Sequence, residues 1–526
     1  MDGDRVVAGA AGRLSVYHIA VPVALTSPGE VPQGEIRMIR SRRTGVLLVT
    51  LAALAAAALW TGSGCAVNPA TGKRQINLVS TGREVEMGRE ADPAIVAEFG
   101  LYGDASTQSY VDSIGQKLAR VSHLPNLKWT FRVLDSPVVN AFALPGGYIY
   151  ITRGIMAYVN SESQLAGILG HEIGHVTARH SAQQMTQQQI AGIGLLAGAI
   201  FVDAFRPYSG LAQQGLGLLF LKYSRDHETQ ADELGIQYSL RSGYDPRTIP
   251  ATYATLKRIS ERTGSTLPNF LSTHPDPGDR EVRTTQLAQA AAGGAPRGLA
   301  IGDAVYRKRV EGIVYGDDPR QGYFEGNRFY HPEMGFQLIF PDGWKTENQP
   351  SAVVAQSSSG AMQLRLGTIR DTTVTPTQFV DSLRAHGAIV AASGHAEPFR
   401  DYPAWVGTVT AAAEGGQQNY AAGYVQIRGG QFLEVYGRGS DQVSIDQVYA
   451  SIRSIAALRD PAKLNVEANR LSIKPAKRGA AFATVWADFP NQAIGLEDAA
   501  ILNGARSTTP YALGAPVKIV PKNPRG

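Results

Sequence analysis

The residues best suited to chemistry in this chain are His171, Glu172 and His175, which form the pattern His-Glu-x-x-His. Four residues span about one helical turn, so both imidazoles point the same way and can share one metal ion. Glu172 lies beside them, where a carboxylate can take a proton from metal-activated water. Ser161 with Gln164 predicts a capping box at the start of this helix. The pattern therefore predicts a metal-dependent hydrolase site.

A hydrolytic zinc site needs a third protein ligand and one open position. Glu228 and Asp232 lie one turn apart on a second predicted helix. One carboxylate can complete the site while the other accepts the free N–H of a ligand histidine. His180 is a rival third ligand, but it lies nine positions after His171, and Ala178 stands where the ten-residue pattern has glycine. We interpret His180 as a structural residue or as a partner of a ligand.

The elements that must position these groups are mainly helical. Helices are predicted over about 81–99, over about 110–121 and through most of 161–292. Residues 129–151 read as strands, with Gly146 and Gly147 at a hairpin turn. From about residue 323 the pattern becomes strand-rich, and Gly429 and Gly430 mark a second hairpin before a helix over about 445–455.

Composition limits the class of protein. The chain has 526 residues, 44% hydrophobic and 18% charged, which is enough for two to four folded domains and excludes disorder throughout. The net charge of +5 is spread without long basic runs, so no nucleic-acid partner is expected. The single cysteine excludes an internal disulfide and a cysteine metal cage.

The amino-terminal region predicts an export signal. Residues 46–60 are an apolar run too short to span a membrane, preceded by three arginines and followed by Cys65. We expect residues 38–64 to be a lipoprotein signal and Cys65 to be lipidated, although Gly62 stands where such signals have Leu, Val or Ile. The alternative is an ordinary signal peptide with an incidental cysteine. Residues 1–37 fit no part of a signal, and Met38 is a plausible start.

Four ordered segments resemble the zinc peptidase family of the CAAX prenyl proteases, in its soluble periplasmic branch of beta-barrel assembly-enhancing proteases. The resemblance covers about 68–322, and its motifs are NAFALPGGY at 140–148, GHEIGHV at 170–176, SRDHETQAD at 224–232 and THP at 273–275. It implies that His171, His175 and Glu228 bind one Zn²⁺ per chain and that Glu172 is the general base. It also implies that Asp232, Arg225 and His180 surround the ligands.

Two further sites follow from the resemblance. His274 would approach the zinc from a loop, either blocking the open position or stabilising the oxyanion; the alternative is a plain turn residue. The edge formed by Asn140, Ala141, Phe142 and Ala143 would bind an extended substrate through its backbone, which tolerates many side chains. A core hairpin is the simpler interpretation of that edge.

Two apolar stretches, 190–202 and 211–221, are too short to span a bilayer. They are expected to form either a mobile lid or lipid-dipping element, or a buried helical hairpin. Residues 323–460 resemble a PsbP-like α/β sandwich, and its scattered histidines form no catalytic group. Residues 461–526 resemble a LysM-type module that lacks the usual Gly-Asp-Thr.

The predicted fold class is therefore multidomain: a mainly α-helical, gluzincin-type zinc peptidase domain (65–322) with a small β-hairpin, an α/β sandwich (323–460) and a small α+β module (461–526). The expected function is that of a zinc endopeptidase, lipid-anchored at the outer membrane and facing the periplasm. Its expected substrates are misfolded or misassembled envelope proteins. Outer-membrane assembly machinery and peptidoglycan are further candidate partners. The rival is a chaperone or scaffold lipoprotein with a closed or structural metal site.

Overall fold

The computed structural model describes residues 65–194, 223–263, 270, 274, 277–294, 298–349, 352–368, 371–413 and 416–523. The predicted signal, residues 195–202 of the first apolar stretch and the whole of the second stretch lie outside these residues. Within the described part of the chain, no helix has the length and apolar character needed to cross a membrane. Packing divides the chain into two compact units: one is Pro319–Val466, and the other joins the preceding described residues to the segment from Glu467 on.

The helical unit begins with short strands and helices that frame a small sheet. Its first elements are β1 (Cys65–Val67), β2 (Arg74–Ile76), α1 (Thr81–Phe99), α2 (Ala105–Arg120), β3 (Thr130–Leu134), β4 (Ala141–Leu144), β5 (Tyr148–Thr152) and α3 (Arg153–Tyr158). The sheet order is β3-β5-β4, with β3 parallel and β4 antiparallel to β5. Strand β4 therefore lies at the edge of this sheet.

The remaining helices of this unit carry the residues of interest. They are α4 (Glu162–Thr177), α5 (His180–Gly194), α6 (Arg225–Arg241), α7 (Ile249–Thr263), α8 (Pro277–Gly293) and α9 (Asp303–Val310). The helix predicted over 81–99 and the helix predicted to begin at Ser161 are confirmed. In their first turns the side chains of Ser80 and Ser161 accept hydrogen bonds from Arg83 N–H and Gln164 N–H.

Glycines allow two close approaches between backbone segments of the helical unit. Gly146 has φ 82°, and a Cβ there would lie 2.5 Å from the Cα of Val85, so both conformation and space require glycine. A Cβ on Gly235 would lie 2.9 Å from the backbone nitrogen of His171, and one on Gly170 would lie 3.0 Å from the carbonyl oxygen of Gly235. Helices α4 and α6 therefore touch backbone to backbone, which brings their polar faces together.

The core of the helical unit lies between α2, the sheet and α4. Val111 and Leu118 from α2, Val133 from β3 and Leu169 from α4 are fully buried in one apolar cluster. Burial of this apolar surface supplies the main free energy that holds α4 in place.

The segment from Glu467 on packs within the same unit. Its elements are β17 (Ser472–Pro475), β18 (Ala480–Ala481), α13 (Phe482–Trp486), α14 (Leu496–Leu502), β19 (Pro510–Tyr511) and β20 (Pro516–Ile519). Strands β17 and β20 pair antiparallel, and the buried Lys518 donates to the carbonyls of Ala157 and Val159 at the end of α3. The LysM-like assignment and the boundary at 461 stay predictions.

The Pro319–Val466 unit is strand-rich. Its elements are β6 (Tyr323–Glu325), β7 (Arg328–His331), β8 (Phe336–Ile339), β9 (Lys345–Asn348), β10 (Ala352–Gln356), β11 (Gly360–Thr368), α10 (Pro376–Ala385), β12 (Ala391–Ala396), β13 (Ala404–Ala413), β14 (Gly416–Arg428), β15 (Gln431–Gly439), α11 (Gln442–Arg453), β16 (Ala456–Ala457) and α12 (Pro461–Leu464). A seven-stranded sheet has the order β12-β13-β14-β15-β11-β10-β9, and a four-stranded sheet has the order β16-β8-β7-β6.

Alternate residues of β15 face opposite sides of the larger sheet. Leu433 and Val435 pack with Val448 and Ile452 of α11, whereas Phe432 packs with the side chains of α10. The predicted hairpin at Gly429-Gly430 and the following helix are confirmed. A multidomain chain with a helical region and a later strand-rich region is thus confirmed; the PsbP-like assignment stays a prediction.

Candidate active site

Three potential metal ligands from helices α4 and α6 meet a fourth, His274, which lies outside these helices. Ligand atoms of His171, His175, Glu228 and His274 all lie within 4.8 Å of one another, and all four side chains are buried. The Nε2 atoms of His171 and His175 are 3.0 Å apart, and Glu228 Oε1 lies 3.4 Å from His175 Nε2. Imidazole nitrogen and carboxylate oxygen are donors that zinc and related ions bind.

Glu172 lies next to this cluster and is completely buried. Neither of its carboxylate oxygens has a hydrogen-bond partner among the described residues, and its Oε1 lies 3.6 Å from His274 Nε2. Burial raises the pKa of Glu172, although His274 and His171 act in the opposite direction. A buried carboxylate that accepts no hydrogen bond from the described residues fits a site that takes up a polar ligand such as water.

The two oxygens of Glu228 have different surroundings. Oε1 lies 2.9 Å from His274 Nδ1, and Oε2 lies 2.7 Å from Nη1 of Arg280. Burial by itself would raise the pKa of Glu228, but His274 and Arg280 hold it well below its usual range. Glu228 is therefore a carboxylate, the form a metal ligand must have.

Asp232 lies one turn after Glu228 and contacts the first histidine. Its Oδ1 is 3.0 Å from His171 Nδ1, and Tyr253 Oη donates to the same oxygen at 2.7 Å. Burial would raise the pKa of Asp232, but Arg280 and His171 lower it. The carboxylate thus holds the His171 ring so that Nε2 faces the cluster.

The second histidine is held by a chain of two side chains. His180 Nδ1 lies 2.9 Å from His175 Nδ1, and His180 Nε2 lies 2.8 Å from Gln230 Oε1. Because an amide oxygen only accepts, His180 carries its proton on Nε2, and its Nδ1 accepts from His175. Burial lowers the pKa of His180 to about 3, so it is neutral. This leaves the lone pair of His175 Nε2 facing the cluster.

His274 enters the cluster from outside these helices. Its Nδ1 lies 3.3 Å from His171 Nε2, and its ring stacks on Phe270 with centroids 4.4 Å apart. Burial would lower the pKa of His274, but the carboxylates of Glu228 and Glu172 raise it. His274 thus lies among the other potential ligands, and its two alternative roles, blocking the open position or stabilising the oxyanion, both stay predictions.

The predicted substrate edge is β4. Ala141, Phe142 and Ala143 are buried in this edge strand, and Asn140 precedes it; β4 packs on α4. The strand pairs with β5 on one side, with Ala141 opposite Ile151.

Two other predicted residues lie away from the cluster's centre. Arg225 is exposed on the first turn of α6, so its expected role beside the ligands stays a prediction. Cys65 begins β1, where Cys65 is opposite Ile76.

Sequence reasoning missed Arg280, which is the central cation of the site. Its Nη2 lies 2.6 Å from Asp232 Oδ1, and only 1% of its side chain is exposed. It also missed Tyr253, Gln230 and Tyr223, whose ring stacks on His175 with centroids 3.9 Å apart. The available signal for Arg280 was its position six residues after His274, at the start of a helix.

The donor set fits a metal ion. Two histidines have their Nδ1 atoms engaged by Asp232 and His180, which leaves both Nε2 atoms and one oxygen of Glu228 facing each other. A buried group of this composition is typical of a metal centre with ring orientations fixed by outer partners.

Comparison with known proteins identifies this region. Residues 105–286 match the model of Peptidase family M48. The beta-barrel assembly-enhancing protease of Escherichia coli (strain K12) is 32% identical over 227 residues, which cover 40% of this chain and 45% of that protein. All four residues of the cluster lie within the matched region.

Mitochondrial relatives also match. The mitochondrial metalloendopeptidase OMA1 of Arabidopsis thaliana is 36% identical over 174 residues, covering 33% of each chain. The protein of that name from Schizosaccharomyces pombe is 31% identical over 210 residues, covering 39% of this chain and 61% of that protein. The chain thus spans less than two thirds of the length of each of these relatives. The match to the M48 peptidase family over residues 105–286 and these relatives confirm the predicted resemblance to the zinc peptidases of the beta-barrel assembly-enhancing branch.

Proposed function

We propose that this chain is a zinc-dependent endopeptidase, with His171, His175 and Glu228 as the zinc ligands. The observation that carries the proposal is the buried cluster of these donors beside the carboxylate of Glu172, which accepts no hydrogen bond from the described residues. Zinc, when bound, supplies Lewis acidity: it lowers the pKa of water and polarises a peptide carbonyl.

Glu172 is the proton carrier in this proposal. Its carboxylate accepts a proton from water while the water oxygen bonds to the peptide carbon. Glu172 then gives that proton to the departing nitrogen as the C–N bond breaks, so that a carboxylic acid and an amine result. Its raised pKa, which burial causes, suits a group that must both take up and release a proton.

The substrate is an extended polypeptide in this proposal. Strand β4 has a neighbour on one side only among the described strands, and an added strand would pair through backbone groups. Such binding needs an unfolded segment and accepts many sequences, which favours misfolded or misassembled proteins as substrates.

The proposed location is the periplasmic side of the bacterial envelope. Supporting it are the apolar run 46–60 before Cys65 and the similarity to bacterial proteins named beta-barrel assembly-enhancing protease. We propose that a lipid on Cys65 anchors the chain, that the membrane is the outer one, and that assembly machinery and peptidoglycan are candidate partners. In Cys65→Ser, the protein should leave the membrane fraction; continued membrane association would contradict the lipid anchor.

A second candidate is a chaperone or scaffold with a closed metal site. The observation that favours it is His274, whose Nδ1 lies 2.9 Å from Glu228 and 3.3 Å from His171. A fourth donor at this position would compete with water for the ion.

Casein degradation by the purified, zinc-loaded chain separates the two candidates. The peptidase should cleave casein, lose activity in a chelator and regain it when zinc is restored. Zinc binding without any cleavage, in wild type and in His274→Ala alike, would favour the scaffold instead.

A further inference from the structure

A cavity of about 440 Å³ lies beside the edge strand of the helical unit. Its walls come from the segment before β4, from α3 and α7, from Phe270 and from residues 314–317. The apolar side chains on these walls include Val138, Val139, Tyr158, Leu256 and Ile259. Ser260 and Asp317 also line it and are exposed, so they mark its open side. Its volume falls in the range of about 300–1,000 Å³ that is common for ligand sites.

The cavity shares two walls with the proposed active site. Phe270 lines the cavity, stacks on His274 and has its ring centroid 6.1 Å from that of His171. Val139 lines it too and leads directly into Asn140 and β4. The N–H of Phe270 donates to the carbonyl of Val139 at 3.1 Å, which joins these two walls.

We propose that this cavity binds a large apolar side chain of the substrate, at one fixed position near the cleaved bond. Tyr158, Leu256 and Ile259 would be the specificity-determining residues. The inference rests on the proposed peptidase function, because it names the substrate class of that same site.

The physical reason is the geometry of strand addition. A segment paired with β4 presents alternate side chains to the protein surface, where pockets select among them. Large apolar side chains are mostly buried in folded proteins and exposed in unfolded ones. An apolar pocket beside the edge strand therefore selects unfolded chains over folded ones.

Cleavage profiling tests the pocket. The full zinc-loaded chain is incubated with a library of peptides of random sequence, and the cut sites are read by mass spectrometry. We expect Leu, Phe, Tyr or Met to be enriched at one fixed position. Ser260→Trp, which places a ring at the open side, should lower kcat/KM for a peptide with Phe there by roughly tenfold. For a peptide with Ala at that position, the same variant should change kcat/KM by less than about twofold.

The matched control is Ser106→Trp, the same change at an exposed serine on α2 that does not line the cavity. It should leave both peptides unaffected. Leu256→Ala is a second variant, which enlarges the cavity and should shift the preference towards Trp. Equal preference in wild type and both cavity variants would overturn the inference.

A binding measurement keeps the pocket separate from the activity. In the zinc-loaded Glu172→Gln variant, fluorescence anisotropy compares labelled peptides that differ only by Phe or Ala at the preferred position. If the wild type cleaves no peptide, no preferred position is known. The two labelled peptides are then poly-Ser sequences that carry Phe or Ala at their centre. The Phe peptide should bind roughly tenfold more tightly, and Ser260→Trp should remove the difference. Equal affinities would overturn the pocket, whereas zinc-loaded wild type that cleaves nothing would overturn the proposed function.

Discussion

Nη1 of Arg280 lies 2.7 Å from Oε2 of Glu228, with only 1% and 2% of the two side chains exposed. The same guanidinium lies 2.6 Å from Asp232 Oδ1. One buried cation thus faces two carboxylates that lie one turn apart on α6. This charge network holds the acidic half of the proposed metal site in place.

Removal of Arg280 should destabilise the protein strongly. In Arg280→Gln, two buried carboxylates lose their common cation, and we expect the free energy of unfolding to fall by about 3–5 kcal/mol. Urea unfolding measures the change. Arg283→Gln is the control, because Arg283 also contacts Asp232 at 2.9 Å but is 30% exposed, and its loss should cost less than about 1 kcal/mol. Equal losses in both variants would contradict this account.

Glu172→Gln should separate metal binding from cleavage. The amide cannot accept the water proton, so we expect kcat/KM for casein-derived peptides to fall by about 10²–10⁴-fold. Zinc content by elemental analysis should stay at the wild-type level, because Glu172 is not among the proposed ligands. Cleavage at the wild-type rate would remove Glu172 from the role of base.

Glu228→Gln should lower the metal content itself. The amide is a poorer donor than a carboxylate, and we expect substoichiometric zinc after dialysis against a weak chelator. Glu233→Gln, an exposed position on the same helix, is the matched control and should retain zinc. Unchanged zinc in Glu228→Gln would exclude Glu228 from the ligand set.

Lys518 of β20 should contribute to stability, because it contacts the end of α3, which lies far from it in the sequence. Lys518 is 1% exposed, and its Nζ lies 2.6 Å from the carbonyl oxygen of Ala157 and 2.5 Å from that of Val159. Lys518→Met leaves both carbonyls without this donor, so the free energy of unfolding should fall by about 2–4 kcal/mol. Lys522→Met, at an exposed position, should unfold like the wild type; equal unfolding of all three proteins would contradict the prediction.

His331 should make the Pro319–Val466 unit sensitive to acid. Burial lowers its pKa to about 4, below the ordinary value of 6.5, and its Nδ1 accepts from Met334 N–H. Between these values the unfolded chain binds a proton that the folded chain does not, so stability is full above pH 6.5 and falls towards pH 4. The loss is at most roughly 3 kcal/mol.

Urea unfolding at pH 7.5, 6 and 5 measures this dependence. His331→Gln should flatten the slope across that interval, and His395→Gln controls for loss of an exposed histidine in the same unit. If the free energy of unfolding of His331→Gln still falls with pH as steeply as that of the wild type, the pH dependence belongs to other groups.

The sequence by itself determined the local parts of this protein. The spacing of His171 and His175 places both rings on one face of a helix, and Ser161 begins that helix through its side chain. In the same way, the spacing of Glu228 and Asp232 predicted that both carboxylates face one side. Such features follow from backbone periodicity and nearby hydrogen bonds, which depend on neighbouring residues alone.

Only the tertiary structure decided which distant groups meet. Arg280 reaches Glu228 and Asp232, His180 bonds the Nδ1 of His175, and Lys518 joins the last strand to α3. These contacts depend on which helix faces pack together, and Gly170 and Gly235 allow α4 and α6 to approach so closely. A pattern along the chain does not contain that choice, because it results from the packing of the whole core.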